Sequence, residues 1–269
     1  MKSKPKNTAS VPSKKLFAES LLEISHRFSL HQVFADFLTM AICAYTQNPR
    51  TKMSYYENEY LSVIAPYKDS KLRFLFPQAL ASLEDEMTER INSQAGSDVL
   101  GEFFENNLSH GRNGQFFTPL PVCQMMAKML TVETKEERSL RILDPTCGSG
   151  RMLLASFETI GRGHEYYGID IDPLCAKMTA LNLFLHGIWG SEVMCADALR
   201  PDDFVISYRI SLLPIGIFKI EKKENSKLWQ MHRDSFDKTK SEPLSNNITL
   251  DTTPFSDRKK DDGTQLKFF

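Results

Sequence analysis

The stretch RILDPTCGSGRML, residues 141–153, decides the fold. An apolar run ends in Asp144, a proline and a glycine-rich turn follow, and a helix-like pattern begins near Arg151. A strand that runs through a tight turn straight into a helix is the opening of an α/β unit. Its glycines let the backbone come close to a small ligand. The same alternation continues downstream. EYYGIDI (165–171) and SEVMCAD (191–197) are β-rich runs, like LRIL (140–143) before them. SGRMLLASFETI and PLCAKMTALNLFLHG lie between them with helical spacing, Pro173 sitting at a helix start and Gly187 at its end. Alternation of this kind predicts parallel strands joined by crossover helices.

Upstream, residues 16–47 have apolar side chains at three- and four-residue spacing with no Pro or Gly, and read as helical. Two more amphipathic stretches follow at 54–66 and 78–94. The second places Leu80, Leu83, Met87 and Ile91 on one stripe. A short helix is expected over 97–109, with Ser97 or Asp98 as its cap. HGRNGQFFTP (110–119) reads as a loop and LPVCQMMAKML (120–130) as a helix. Downstream, FVISYRISLLPIGIFKI (204–220) has room for one or two strands, and SKLWQMH for a helix. The expected organisation is a basic flexible tail (1–15), a helical domain (16–109), a ligand-binding α/β domain (110–220) and a polar, flexible C-terminal segment (221–269).

Composition bounds the function. The 269 residues are 41 % hydrophobic, enough for a real core, and the formal net charge is −1, so no global field draws nucleic acid to the surface. Residues 1–15 hold five lysines and no acid, which reads as a solvated end. The five cysteines form no C-x-x-C pair and have no histidine cluster beside them. They are expected to be small buried side chains, without a metal site or a disulfide framework. No run approaches the length of a membrane span and no signal peptide is visible, so a reducing cytoplasm is the default.

Ligands of a parallel sheet sit beyond the carboxyl ends of its strands. Asp144, Asp170 and Asp197 each close one candidate strand, and Asp170 falls 20 residues after Gly150, the distance of a ribose-binding acid. Gly148 and Gly150 supply two positions of a dinucleotide loop, but Leu153 occupies the third, which argues against a nicotinamide cofactor. The Gly-Lys-Ser/Thr of a triphosphate loop is absent. An acid at the end of the first strand sits badly beside a pyrophosphate and well beside an ammonium group. A nucleoside with an amino-acid tail and no phosphate satisfies both conditions, and S-adenosylmethionine is that molecule.

GQFFTP (114–119), DPTCGSG (144–150), YGIDIDP (167–173) and CADAL (195–199), in this order and spacing, resemble the DNA adenine-N6 methyltransferases, and in particular the modification subunits of type I restriction systems. The resemblance covers roughly 105–200. It implies a truncated Rossmann-like S-adenosylmethionine-dependent methyltransferase sheet preceded by a helical domain, an α/β fold. It also implies S-adenosylmethionine as cofactor, DNA as a partner, and roles for individual residues. Gln115, Phe116, Phe117, Thr118 and Pro119 would pack over the methionine part. Asp144, Pro145, Cys147, Gly148 and Gly150 would wrap the methionine end. Asp170 would hold the ribose hydroxyls with Ile171 against the adenine ring, and Asp197 would accept from the adenine amino group. Arg151 departs from the small residue frequent in the family, and its side chain is expected to point outward.

The family's catalytic Asn/Asp-Pro-Pro-Phe/Tyr motif, which holds an adenine flipped from the duplex, is not found. No Pro-Pro occurs anywhere, and SLLPIG (211–216) and TTPF (252–255) are chance look-alikes. The residues after Asp197 are too few for the remaining strands, a base pocket and a recognition domain. No catalytic residue is assigned. Two readings stay open: a methyltransferase whose missing half comes from a protein partner, and a non-catalytic or regulatory module that keeps only the cofactor site.

Overall fold

The computed structural model describes residues 16–48, 50–51, 53–93, 98–109, 116–131, 139–200, 202–241 and 267–268. The expectations for the basic tail, Ser97, Gln115 and TTPF fall outside these residues.

The helical region 16–47 is two helices, α1 (Phe17–Ser25) and α2 (Leu30–Tyr45). The chain turns between them, and Phe28 in that turn packs on Tyr67 at 4.5 Å between ring centroids. Helix α3 (Glu57–Ile64) follows, then α4 (Ser70–Ser93), which begins earlier than its apolar stripe suggested and carries Pro77 inside it. Leu83 and Met87 are buried, while Ile91 at the end of the stripe is exposed. Helix α5 (Val99–Phe104) is capped by Asp98, whose side chain accepts from Gly101 N, and runs into a π-helical turn over Glu105–Ser109. Phe17, Phe34, Phe37 and Phe103 interlock with centroids 5.1–5.3 Å apart and hold α1, α2 and α5 together.

Helix α6 (Leu120–Thr131) leads to the sheet: β1 (Arg141–Asp144), α7 (Arg151–Ile160), β2 (Glu165–Asp170), α8 (Pro173–Leu185) and β3 (Glu192–Cys195). Strands β1, β2 and β3 are parallel neighbours, with Asp144 opposite Gly168 and Asp170 opposite Cys195. The crossover helices start as their residues direct. Asp172 accepts from Leu174 N at 2.8 Å ahead of Pro173, and Gly150, at φ +85°, opens α7.

These strands are buried on both faces, as parallel strands are. Ile142, Tyr166, Val193 and Cys195 join one continuous core with α8 and the upstream helices. Leu143, Tyr167, Ile169 and Met194 face the other way, onto Leu228 and Trp229 of α9 (Lys227–Ser241). All five cysteines are buried and free.

After β3 the direction of the sheet changes. Strands β4 (Ile206–Leu212) and β5 (Ile215–Ile220) form an antiparallel hairpin beside β3, and β6 (Lys267–Phe268) pairs parallel to β1, giving the order β5-β4-β3-β2-β1-β6. The outer edge of β5 is sealed by side chains. Thr46 Oγ1 donates to Ile217 O (3.0 Å) and accepts from Ile217 N (3.2 Å), and Tyr56 Oη accepts from Lys219 N (2.7 Å). Among the described residues no helix is long and apolar enough to cross a membrane.

Candidate functional site

Parallel strands end at a common rim. Asp144 and Asp170 are the last residues of β1 and β2, and Asp197 lies just past β3, so the three acids reach the same edge of the sheet. The turn from β1 to α7 folds back over that rim. Cys147 N donates to Ile169 O (2.8 Å) and Gly150 N to Cys147 O (2.7 Å). Gly148 N donates to Asp170 Oδ2 (2.8 Å), while Asp170 Oδ1 accepts from Asp172 N (2.9 Å). Asp170 therefore fixes the glycine turn relative to the next crossover. Thr179 on α8 holds the turn from behind through Gly148 O (2.9 Å).

Gly148, at φ +55°, has no room for a side chain: a Cβ there would come within 2.7 Å of the Phe117 ring. Gly148→Ala is expected to destabilise the protein by about 2 kcal/mol or more, from left-handed strain plus the clash. Urea unfolding checks this, and an unchanged midpoint would mean that Phe117 is not packed there.

The rim is electronegative and partly dry. Burial pushes the Asp144 carboxyl up from 3.8 to about 6, against the hydrogen bond it accepts from Thr146 N (3.1 Å) and with help from the charge of Asp170. Burial also raises Asp170. The Cys147 thiol, buried against Thr179, is pushed well above its ordinary range and stays protonated, so it is a packing group rather than a nucleophile. Pro145, half-buried, leads the turn.

Asp197 is half-buried and shapes its own turn. Its Oδ1 accepts from Leu199 N (3.0 Å), its Oδ2 lies 3.3 Å from Arg200 Nε, and its backbone N donates to Asp203 Oδ2 (2.7 Å). His232 on α9 supports this turn, with Nε2 2.8 Å from Ala198 O. Ile171 and Leu199, each next to a rim turn, are 69 % and 83 % exposed. Large apolar side chains left in water beside acids suit a ligand with a flat apolar part.

The aromatic loop supplies the cover. Phe117 N donates to Glu105 Oε1 (3.1 Å), and its ring stacks on Phe104 at 5.5 Å and meets Gly148. Phe116 points into solvent, 77 % exposed. Thr118 and Pro119 are exposed, and the Pro119 carbonyl accepts from Val122 N and Cys123 N in the first turn of α6.

Arg151 does not point outward. It is buried, and its guanidinium donates to three groups: Nε to Asp98 Oδ2 (2.8 Å), one terminal nitrogen to Glu105 Oε2 (2.9 Å) and the other to Thr118 O (3.2 Å). The charge is tolerated inside because two carboxylates meet it there. Asp98 is a hub, since it also accepts from Ser149 Oγ (2.6 Å), Asn182 Nδ2 (2.9 Å) and Gly101 N (2.9 Å). Neither Asp98, beyond its capping role, nor Glu105 was singled out by the sequence reading. Their spacing of seven, two helical turns, puts both acids on one face and is the signal that would have found them.

The structure also places SLLPIG. It forms the turn between β4 and β5. Because β4 runs antiparallel to β3, that turn lies at the end of the sheet where β3 begins, opposite the three acids. It has no access to the rim.

Comparison with known proteins matches residues 95–240 to the N-6 DNA methylase family. The chain is 33 % identical over 121 residues to the type I restriction enzyme MjaVIII methylase subunit of Methanocaldococcus jannaschii, covering 42 % of this chain and 20 % of that protein. It is 29 % identical over 119 residues to the MjaVII methylase subunit of the same organism, covering 40 % and 20 %. The chain thus spans about a fifth of the length of these curated relatives. Among solved structures, it is similar to a putative class I S-adenosylmethionine-dependent methyltransferase from Listeria monocytogenes. The identity is 16 % and the TM-score 0.38, over 64 % of this chain and 50 % of that one.

Proposed function

Because this chain belongs to the N-6 DNA methylase family and resembles type I methylase subunits, we propose that it binds S-adenosylmethionine at the rim of β1–β3 and serves methylation of adenine in DNA, with the base-holding groups coming from a protein partner. The observation that carries this reading is the gathering of Asp144, Asp170 and Asp197 on one edge under a glycine turn and an aromatic cover. The residues present fit the cofactor. A buried acid awaits a cation, a turn without side chains leaves room for a backbone contact, and exposed Ile171 offers an apolar face.

In this reading each residue has one task. Asp144 holds the ammonium group, Asp170 the ribose hydroxyls and Asp197 the adenine amino group. Ile171 lies against the adenine ring. Phe117, with the backbone at Thr118 and Pro119, excludes water from the methionine side. The bound cofactor supplies an electrophilic methyl group on a sulfonium sulfur. The cofactor domain is 110–220, with the helical region 16–109 packed ahead of it.

The second reading, a module that keeps the cofactor and has lost catalysis, is favoured by one observation. The sole Pro-containing look-alike of the catalytic motif within the described residues, SLLPIG, sits at the wrong end of the sheet.

One experiment addresses both readings. Calorimetry with S-adenosylmethionine or S-adenosylhomocysteine is expected to show binding, weakened by about 1–3 kcal/mol in Asp170→Ala or Asp197→Ala. Absence of heat on folded protein would refute the cofactor assignment. Labelled methyl is expected to enter duplex DNA only when a partner is added. Transfer by the chain alone would refute the division of labour, and none with any partner would favour the second reading.

A further inference from the structure

The loop 116–119 has no helix or strand of its own, yet it covers the glycine turn, and three tethers hold it. Phe117 N donates to Glu105 Oε1 (3.1 Å), Thr118 O accepts from Arg151 (3.2 Å), and the Phe117 ring stacks on Phe104 at 5.5 Å with the Arg151 guanidinium 5.8 Å from its centroid. All three depend on residues 98–105. Glu105 and Phe104 act directly, and Arg151 is oriented by Asp98 and Glu105. The rigid planar fork of the guanidinium, with donors spread over three nitrogens, meets two carboxylates and a carbonyl at once.

We infer that α5 and its following turn are a working part of the cofactor site: Asp98 and Glu105 orient Arg151, and Arg151 with Glu105 sets the aromatic cover over Gly148. Arg151 and Glu105 are positioning residues for cofactor capture. The inference rests on the cofactor reading above. The upstream helices, on this account, determine how tightly the α/β unit closes on its ligand.

Glu105→Gln is the informative variant. It removes one arm of the fork and weakens the acceptor of Phe117 N, while the deeper Asp98–Arg151 pair stays. Glu102→Gln is the control: Glu102 lies on α5, three residues before Glu105, but pairs outward with Arg90 at 2.6 Å. The measurements are S-adenosylhomocysteine affinity by calorimetry, amide exchange over 116–123 by mass spectrometry, and the thermal midpoint. Glu105→Gln is expected to lower affinity tenfold or more and to speed exchange in the loop, with a midpoint near that of the wild type. Arg151→Lys should weaken affinity similarly, and Glu102→Gln should change neither affinity nor exchange. Unchanged affinity and exchange in Glu105→Gln overturns the inference, as does equal weakening by Glu102→Gln. If wild-type protein binds no ligand while Glu105→Gln still loosens the loop, the cofactor reading alone is overturned and Arg151 stands as the anchor of the loop.

Discussion

Asp98→Ala is expected to lower the unfolding free energy by about 3–5 kcal/mol, the usual cost of leaving one member of a buried ion pair alone. Asp98 is 4 % exposed and accepts from Gly101 N, Ser149, Arg151 and Asn182. Alanine leaves those donors to compete for no acceptor and leaves the Arg151 charge with Glu105 alone. For a chain of this size the thermal midpoint should fall by roughly 10 °C. The double variant Asp98→Ala with Arg151→Met removes both charges and should cost much less than the two single changes added together. Urea unfolding of the four proteins checks the cycle. A single-variant loss under about 1 kcal/mol, or strict additivity, would mean that the network is not coupled.

The second large effect is a pH dependence. In the free protein Asp144 titrates at about 6, and pairing with an ammonium group favours its ionised form. Affinity for S-adenosylmethionine is therefore full above pH 6 and falls as pH drops below it, approaching tenfold per unit. Asp144→Asn should bind more weakly at pH 7.5 and lose this dependence. The folding effect has the opposite sign. A carboxyl raised from 3.8 to about 6 costs the folded state stability when charged, so the cost is fully present above pH 6 and is relieved as pH falls toward 4. Asp144→Asn should accordingly be more stable at pH 8, by about 3 kcal/mol at most. Calorimetry and urea unfolding at pH 5 and 8 test the two signs together. Equal affinities at both pH values in wild type would remove Asp144 from the ammonium site.

The β1–β3 core was legible because strands buried on both faces carry dense apolar runs, and because Asp172-Pro173 and Gly187 punctuate the crossover helix. The rim acids were legible for the same reason, since strand ends fix where they stand. Residues 204–220 were legible only as one or two strands, and alternation has the same period in parallel and antiparallel strands, so the direction of the hairpin was not legible. The break at 26–29 carries no Pro or Gly, and Phe28 within it packs on Tyr67, a tertiary contact that spacing along the chain does not reveal. Arg151 was misjudged because its partners Asp98 and Glu105 lie far back along the chain, and one residue read alone does not disclose a counter-charge.

The two margins of the sheet are closed by different means. Thr46 and Tyr56 occupy the outward backbone groups of Ile217 and Lys219, so these donors and this acceptor are spent within the chain. An open strand edge is a template for any passing polypeptide, and here that template is cancelled by two hydroxyls, without an extra strand. The opposite margin is closed differently, by the chain's own residues 267–268 paired on β1, so one edge ends in side-chain hydroxyls and the other in a two-residue strand.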